Sequence, residues 1–336
     1  MRMLERSPKL DDVTHLVLDE VHERSIDSDF LLVVLKKLLF KRKDLKVILM
    51  SATVDSERFS RYLNNAPVLN VPGRTFPVTA QFLEDAIELT KFTIDELDAR
   101  NKKSSKYGDE WDYGPDEESN ENSNPTLTVN ALPSYSKETK TTLSRINESQ
   151  IQYELIVKLI EVVATNPKYV DYSKAILVFL PGIGEIRKLN DYLLGHPAIG
   201  GHGAYGGGGG RGAGGNGGWF IYPLHSTIAS EEQEAAFLVP PEGFRKIVLA
   251  TNIAETGITI PDVTCVIDTG KHKEMRFDER RQLSRLVETF ISRANAKQRR
   301  GRAGRVQEGL CFHLFTKERY ESFVCFSLLR TSLTLN

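Results

Sequence analysis

Leu16-Val17-Leu18-Asp19-Glu20-Val21-His22-Glu23-Arg24-Ser25 is the stretch whose reading decides the fold. Three apolar residues run straight into an acidic pair, which reads as a buried strand with the acids at its carboxyl end. In open α/β sheets that end is where ligands bind. The pattern recurs at Val47-Ile48-Leu49-Met50, which runs into Ser51-Ala52-Thr53. Far along the chain, Gln298-Arg299-Arg300-Gly301-Arg302-Ala303-Gly304-Arg305 sets Gln298, Arg302 and Arg305 at i, i+4 and i+7. That spacing predicts one helical face. An acidic pair, hydroxyls at a second strand end and two spaced arginines are parts of a phosphoryl-transfer site.

Between these stretches the chain reads as two regions of α/β alternation. In residues 1–92, strands are expected at Thr14 to Leu18, Leu45 to Met50 and Val78 to Phe82. Helices are expected after Asp27 and Asp55, both able to cap. Residues 93–149 lose periodicity and are rich in polar and charged residues, which reads as a disordered linker. In residues 150–320 a helix is expected over about 150–164. Strands are expected at Ala175 to Leu180, Trp219 to Tyr222, Lys246 to Ala250, Val263 to Asp268 and Leu310 to Phe315. Strands separated by helices predict mainly parallel sheets. Thirteen glycines in the nineteen residues Gly200 to Gly218 mark a flexible insertion.

The length of 336 residues suits about two domains. The net charge of −1 decides nothing about nucleic acid, but its distribution does. Lys271 to Arg305 holds twelve Lys/Arg against four acids, whereas Asp109 to Glu121 holds seven acids and no base. A polyanion is drawn to the first segment and repelled by the second. The three cysteines, Cys265, Cys311 and Cys325, lack metal-type spacing and read as plain thiols of a reducing compartment. No apolar run is long enough to span a membrane, and the first residues show no secretory pattern. A cytoplasmic location is expected, with the nucleus as the alternative.

The order and spacing of these motifs resemble a DEAH/RHA-type superfamily 2 RNA helicase, from the first residues to about Tyr320. The resemblance implies two RecA-like domains, with RNA across one face and ATP between them. It implies Mg²⁺ held at Asp19 and Glu20, with Asp19 as the principal ligand and Glu20 activating water. His22 then couples the nucleotide site to the second domain. Ser51 and Thr53 link hydrolysis to domain movement, and Arg74 in the turn Pro72 to Pro77 contacts RNA phosphate. In the second domain, Gly182, Ser226, Thr251 and Asn252 face the RNA backbone, and Glu255 and Gly257 lie near the nucleotide. Phe237 either stacks on the base or is a core phenylalanine. Gln298 positions water, and Arg302 and Arg305 stabilise γ-phosphate charge. Lys271 to Arg285 corresponds to a strand-separating β-hairpin.

Gly257 with Pro261 resembles the subgroup associated with translation initiation on structured messenger leaders, which implies ribosomal or translation-factor partners. No G-x-x-x-x-G-K-[ST] occurs, and only eighteen residues precede Asp19. The first RecA-like domain is therefore expected to be incomplete at its N-terminus, and residues 321–336 to be the truncated start of a winged-helix region. The rival expectation is a non-catalytic RNA-binding fragment or an aberrant gene-model product.

Overall fold

The computed structural model describes residues 7–21, 26–51, 56–71, 73, 76–94, 134–200, 218–228, 233–255, 259–278 and 282–323. The chain divides into two compact units, Met1–Gly73 and Arg74–Asn336.

In the first unit, strands β1 (His15–Leu18) and β2 (Lys46–Leu49) pair in parallel, His15 beside Lys46 through Leu18 beside Leu49. The crossover between them is helix α1 (Ile26–Lys41), and a short helix α2 (Ser56–Tyr62) follows. Helix α1 buries Leu35 and Leu38 against Leu10 and Leu45, with Leu16, Leu18 and Val47 packed around them. Arg42, just past α1, pins the entry to β1. Its guanidinium donates to the Lys9 and Leu10 carbonyls at 2.8 Å and is held by Asp44 at 2.6 Å. The alternation of each strand puts one set of side chains on α1 and exposes Val17 and Ile48, which face each other across the ladder.

The second unit is built on six parallel strands. They are β3 (Val78–Gln81), β4 (Ala175–Phe179), β5 (Trp219–Leu224), β6 (Arg245–Ala250), β7 (Cys265–Asp268) and β10 (Gly309–His313), in spatial order β3-β10-β7-β4-β6-β5. Between β7 and β10 lie the antiparallel hairpin β8 (Lys271–Asp278) and β9 (Leu283–Phe290) and helix α7 (Arg293–Gly301). The remaining helices are α3 (Leu83–Thr90), α4 (Lys137–Arg145), α5 (Tyr153–Thr165), α6 (Ile183–Leu194) and α8 (Lys317–Ser322). Strand β4, Ala-Ile-Leu-Val-Phe, is buried at every residue, as a central parallel strand covered on both faces must be. One face packs under α5 and α6 through Ile176, Val178, Ile160 and Leu189. The other holds Leu177, Phe179, Val266, Ala254 and Ala303.

Two expectations need correction. The region 1–92 does not act as one piece, because β3 adds to the second unit's sheet beside β10, from Val78 beside Gly309 to Gln81 beside Phe312. The pairing needs a close approach at Gly304, where a Cβ would lie 2.5 Å from the Phe76 carbonyl oxygen. Helix α3 follows β3 into the same unit and buries Ala86 and Ile87. Nor is all of 93–149 linker, since residues 134–149 are described and carry α4. That helix is nearly devoid of apolar residues, so it has no visible period. Polar contacts fasten it: Ser136 Oγ donates to Glu88 at 2.8 Å, Tyr135 to Asp85 at 2.9 Å, and Thr142 to the Phe92 carbonyl at 3.3 Å. The bulk of the glycine-rich insertion and residues 324–336, with Cys325, lie outside the described residues. Cys265 and Cys311 are buried free thiols, and burial pushes both well above the ordinary thiol range.

Candidate functional site

Asp19 and Glu20 follow β1 directly. Asp19 Oδ1 accepts the Glu20 amide at 2.8 Å, and Glu20 turns with φ 52°, in the left-handed region. For a residue with a Cβ that region costs on the order of 1 kcal/mol. The parallel ladder carries on past both strands. Met50 donates to the Leu18 carbonyl at 2.7 Å and Val21 donates to the Met50 carbonyl at 3.1 Å. Exposed Ser51, the residue after Met50, therefore leaves the sheet beside the acidic turn. Asp19 is exposed and Glu20 half-buried.

Among the described residues no group of three His, Cys, Asp or Glu side chains forms a closed metal cage. Hard carboxylate oxygens at an open strand end suit Mg²⁺, which takes one or two carboxylates and completes its shell with phosphate and water. His22, Thr53, Arg74 and Gly257 lie outside the described residues.

The second unit gathers its expected residues at the carboxyl edge of its sheet. Gly182 follows β4, Ser226 follows β5, and Thr251 and Asn252 follow β6, with Leu180 donating to the Ala250 carbonyl at 2.8 Å across two of these ends. Ser226 and Asn252 are exposed, whereas Gly182 and Thr251 are buried. Gln233 Nε2 holds the loop after β5 by donating to the His225 and Ile228 carbonyls at 3.0 and 2.6 Å.

Phe237 is half-buried and packs on the cluster containing Leu177 and Phe179. Its backbone is fixed from beneath by Lys246. The fully buried ammonium donates to the Ala236 and Leu238 carbonyls, both at 2.9 Å, and pairs with Asp262 at 2.6 Å. Burial lowers the Lys246 pKa, and Asp262 opposes that shift.

The single helical face expected for Gln298, Arg302 and Arg305 is only partly realised. Helix α7 ends at Gly301, Arg302 is its C-cap, and Arg305 lies beyond it. Both arginines still reach the segment after β6. Arg302 Nη2 donates to the Glu255 carbonyl, and Arg305 Nη1 to Thr259 Oγ1. Gln298 is half-buried on α7.

Glu255, expected near the nucleotide, is buried. Its carboxylate points inward, 3% exposed, where it accepts from Asn295 Nδ2 and from Arg299 Nε, the latter at 3.0 Å. Its carbonyl, not its carboxylate, meets Arg302.

Arg299 is the residue that sequence reasoning missed. It is wholly buried, with Nη1 2.9 Å from Asp268 Oδ1 and 3.2 Å from the Lys271 carbonyl, and its guanidinium 4.8 Å from the centre of the Phe179 ring. Its Nη2 is buried with no hydrogen-bond partner among the described residues. The second oxygen of Asp268 faces His313 Nδ1 at 3.2 Å. Burial alone would push the Asp268 carboxyl up, but Arg299 and His313 outweigh it and hold it below the ordinary range. The available signal was Asp268 itself, an acid closing an apolar strand, which needs a cation when buried.

A parallel sheet whose strand-end loops meet a following arginine segment is the α/β core expected above, and comparison with known proteins points to helicases. Residues 214–307 match the helicase conserved C-terminal domain. Over 341 residues the chain is 42% identical to the ATP-dependent RNA helicase dhx29 of Xenopus laevis, covering 98% of this chain and 24% of that protein. It is 38% identical to the ATP-dependent DNA/RNA helicase DHX36 of Mus musculus, covering 99% of this chain and 32% of that one. Among solved structures, the Escherichia coli DEAH/RHA helicase HrpB superposes with a TM-score of 0.63 at 29% identity, covering 96% of this chain and 30% of HrpB. Nearly the whole chain is thus similar to DEAH/RHA-type helicases, and it spans about a quarter to a third of the length of these relatives.

Proposed function

We propose that this chain supplies core parts of an ATP-dependent RNA helicase, which couples RNA-stimulated ATP hydrolysis to movement along RNA and displacement of the paired strand. The observation that carries the reading is the reach of Arg302 and Arg305, from the end of α7, onto the segment after β6 that also bears Thr251 and Asn252. Guanidiniums tied to that segment would answer changes in its charge and position. ATP with Mg²⁺ is the proposed cofactor pair. Asp19 would hold the ion with Glu20 beside it, and the ion would neutralise phosphate charge. Glu20 orients water, and Arg302 and Arg305 stabilise charge on the transferred phosphoryl group. Ser226, Thr251 and Asn252 bind the RNA backbone, so sequence preference is low.

Structured messenger leaders as substrate, and ribosomal or translation-factor partners, belong to the same proposal. Their support is the Gly257 and Pro261 pattern. A cytoplasmic site of action follows from that role. No helix among the described residues is long and apolar enough to cross a membrane.

One observation favours a second reading, RNA binding without hydrolysis: the 336 residues contain no G-x-x-x-x-G-K-[ST]. ATP hydrolysis measured with and without RNA decides between them. We expect the 336-residue chain alone to bind RNA without turnover. A protein joining it to a phosphate loop should hydrolyse ATP, and Glu20→Gln should abolish that activity. RNA binding with no turnover in the joined protein would establish the second reading.

A further inference from the structure

Gly182 is expected to meet RNA, yet it is buried, and two charged side chains bury it. A Cβ on Gly182 would lie 2.9 Å from Glu185 Oε2 and 3.0 Å from Lys273 Nζ. Glu185 comes from the first turn of α6 and Lys273 from β8 of the hairpin. Their charged ends form a fork, Lys273 Nζ lying 3.0 and 3.1 Å from the two carboxylate oxygens. Both side chains keep contact with solvent, at 30% exposure for Lys273 and 21% for Glu185. Lys271, two residues earlier on the same face of β8, differs. Its Nζ donates to the Ser149 carbonyl and pairs with Glu288 at 2.8 Å, and it is nearly sealed from water. Lys271 therefore fastens the hairpin, whereas Lys273 stands at the mouth of the Gly182 loop.

A nucleic-acid backbone approaching that loop meets this ion pair first. Two anions cannot share one ammonium at close range without repulsion. The carboxylate can swing into water on its own side chain, while the ammonium has every reason to stay with the phosphate. We infer that Lys273 is an RNA-phosphate contact held in reserve by Glu185, and that RNA binding exchanges the Glu185 carboxylate for a phosphodiester oxygen. The inference rests on the reading that the Gly182 loop faces RNA. It adds a competing internal anion, which makes RNA affinity at this loop adjustable by one residue.

The competition gives the two partners opposite signs, and it makes the effect of Glu185 depend on the presence of Lys273, which general charge does not do. The measurement is fluorescence anisotropy of an end-labelled oligouridylate with the 336-residue chain, titrated at several salt concentrations. Lys273→Met should weaken binding about tenfold and reduce the steepness of the logarithmic salt dependence by about 0.7, the share of one phosphate contact. Lys273→Arg should preserve binding. Glu185→Gln should strengthen binding about threefold, and that gain should vanish when Lys273→Met is also present. Circular dichroism melts check that each variant folds, and Glu185→Asp serves as a second, shorter competitor if Glu185→Gln melts early.

A loss of affinity in Glu185→Gln like that in Lys273→Met would overturn the inference and leave a plain structural bridge. An equal gain from Glu185→Gln with and without Lys273 would overturn it as well, since the effect would then be general charge. Absence of RNA binding in the unsubstituted chain would instead refute the RNA reading itself, and the inference with it.

Discussion

The two units handle charge in opposite ways. In the first, Asp19, Glu20 and Ser51 sit at the ends of a two-stranded ladder, open or half-open to water, and what they store is a backbone contortion at Glu20. In the second, the carboxyl edge of a six-stranded sheet is underlaid by Glu255, Arg299, Asp268 and His313, all buried. Hydrated carboxylates cost little to keep and can change ligands freely. A buried network fixes the backbone above it, so Arg302 finds a carbonyl and not a mobile carboxylate. The first unit thus leaves its strand-end acids open to water, and the second backs its strand ends with a buried network.

The largest effect expected from this contrast is at Arg299. Arg299→Met should leave Asp268 and Glu255 buried without their guanidinium, facing His313 and Asn295, and lower the stability of the second unit by about 3–5 kcal/mol. Thermal or denaturant melting of the chain measures it. Adding Asp268→Asn to Arg299→Met should recover part of the loss, because neighbours in one network are not additive. A loss equal to that of an exposed arginine, such as Arg187→Met, would break the comparison.

The next effect is a pH dependence confined to the second unit. Glu84, on α3, is buried and accepts the Lys317 amide at 3.1 Å. Burial pushes its pKa to about 7, with Asp85 and Glu148 adding repulsion. The backbone amides of Lys317 and of Glu84 itself oppose the rise. Lys317 and Arg319 are the cations carried by the adjoining α8, and Arg319 is paired with Glu148 at 2.8 Å. With the folded pKa raised, the folded chain binds more protons than the unfolded one between pH 4.5 and about 7. Glu84's contribution is therefore full below pH 4.5 and is lost as pH rises through about 7. Glu84→Gln keeps the acceptor without the charge. It should stabilise the chain at pH 8 by on the order of 2 kcal/mol and leave stability at pH 4 unchanged. Melting curves at the two pH values, with no gain at pH 8, would show that the carboxylate is better solvated than its burial implies.

Why the first unit's chemistry was legible and the second unit's support was not follows from these residues. Asp19, Glu20 and Ser51 directly follow short apolar runs, and a strand end is visible in sequence. Strand β4 is an unbroken apolar run, as is most of β6, and the hairpin from Lys271 follows a glycine with φ 73° at Gly270. By contrast, Arg299 stands in a run of basic residues that reads as a solvated face, and only the fold discloses that it points at Asp268. Helix α4 was hidden for the converse reason, since hydrogen bonds to Glu88 and Phe92 fasten a segment with almost no apolar residues. The division after Gly73 was hidden because a four-residue strand such as Val78–Gln81 carries no label for the sheet it joins. Local patterns specify elements; partners many residues away specify which core receives them.

The smallest effect is a gain, and it tests the first unit's side of the contrast. Glu20 holds φ 52° with a Cβ in place, a geometry that glycine adopts without steric cost. Glu20→Gly should remove the strain while increasing the freedom of the unfolded chain, so the two terms partly cancel. The net stabilisation of the first unit should be about 0.5–1 kcal/mol. Hydrogen exchange of the Leu18 and Met50 amides reads it locally, since the Met50 amide closes the ladder onto the Leu18 carbonyl beside the turn. Slower exchange at Met50 in Glu20→Gly, with Glu20→Gln unchanged, would assign the strain to the backbone and not to the carboxylate. Faster exchange in both variants would mean that the Glu20 side chain helps hold the turn, and the contrast between open acids and a buried supporting network would fail at Glu20.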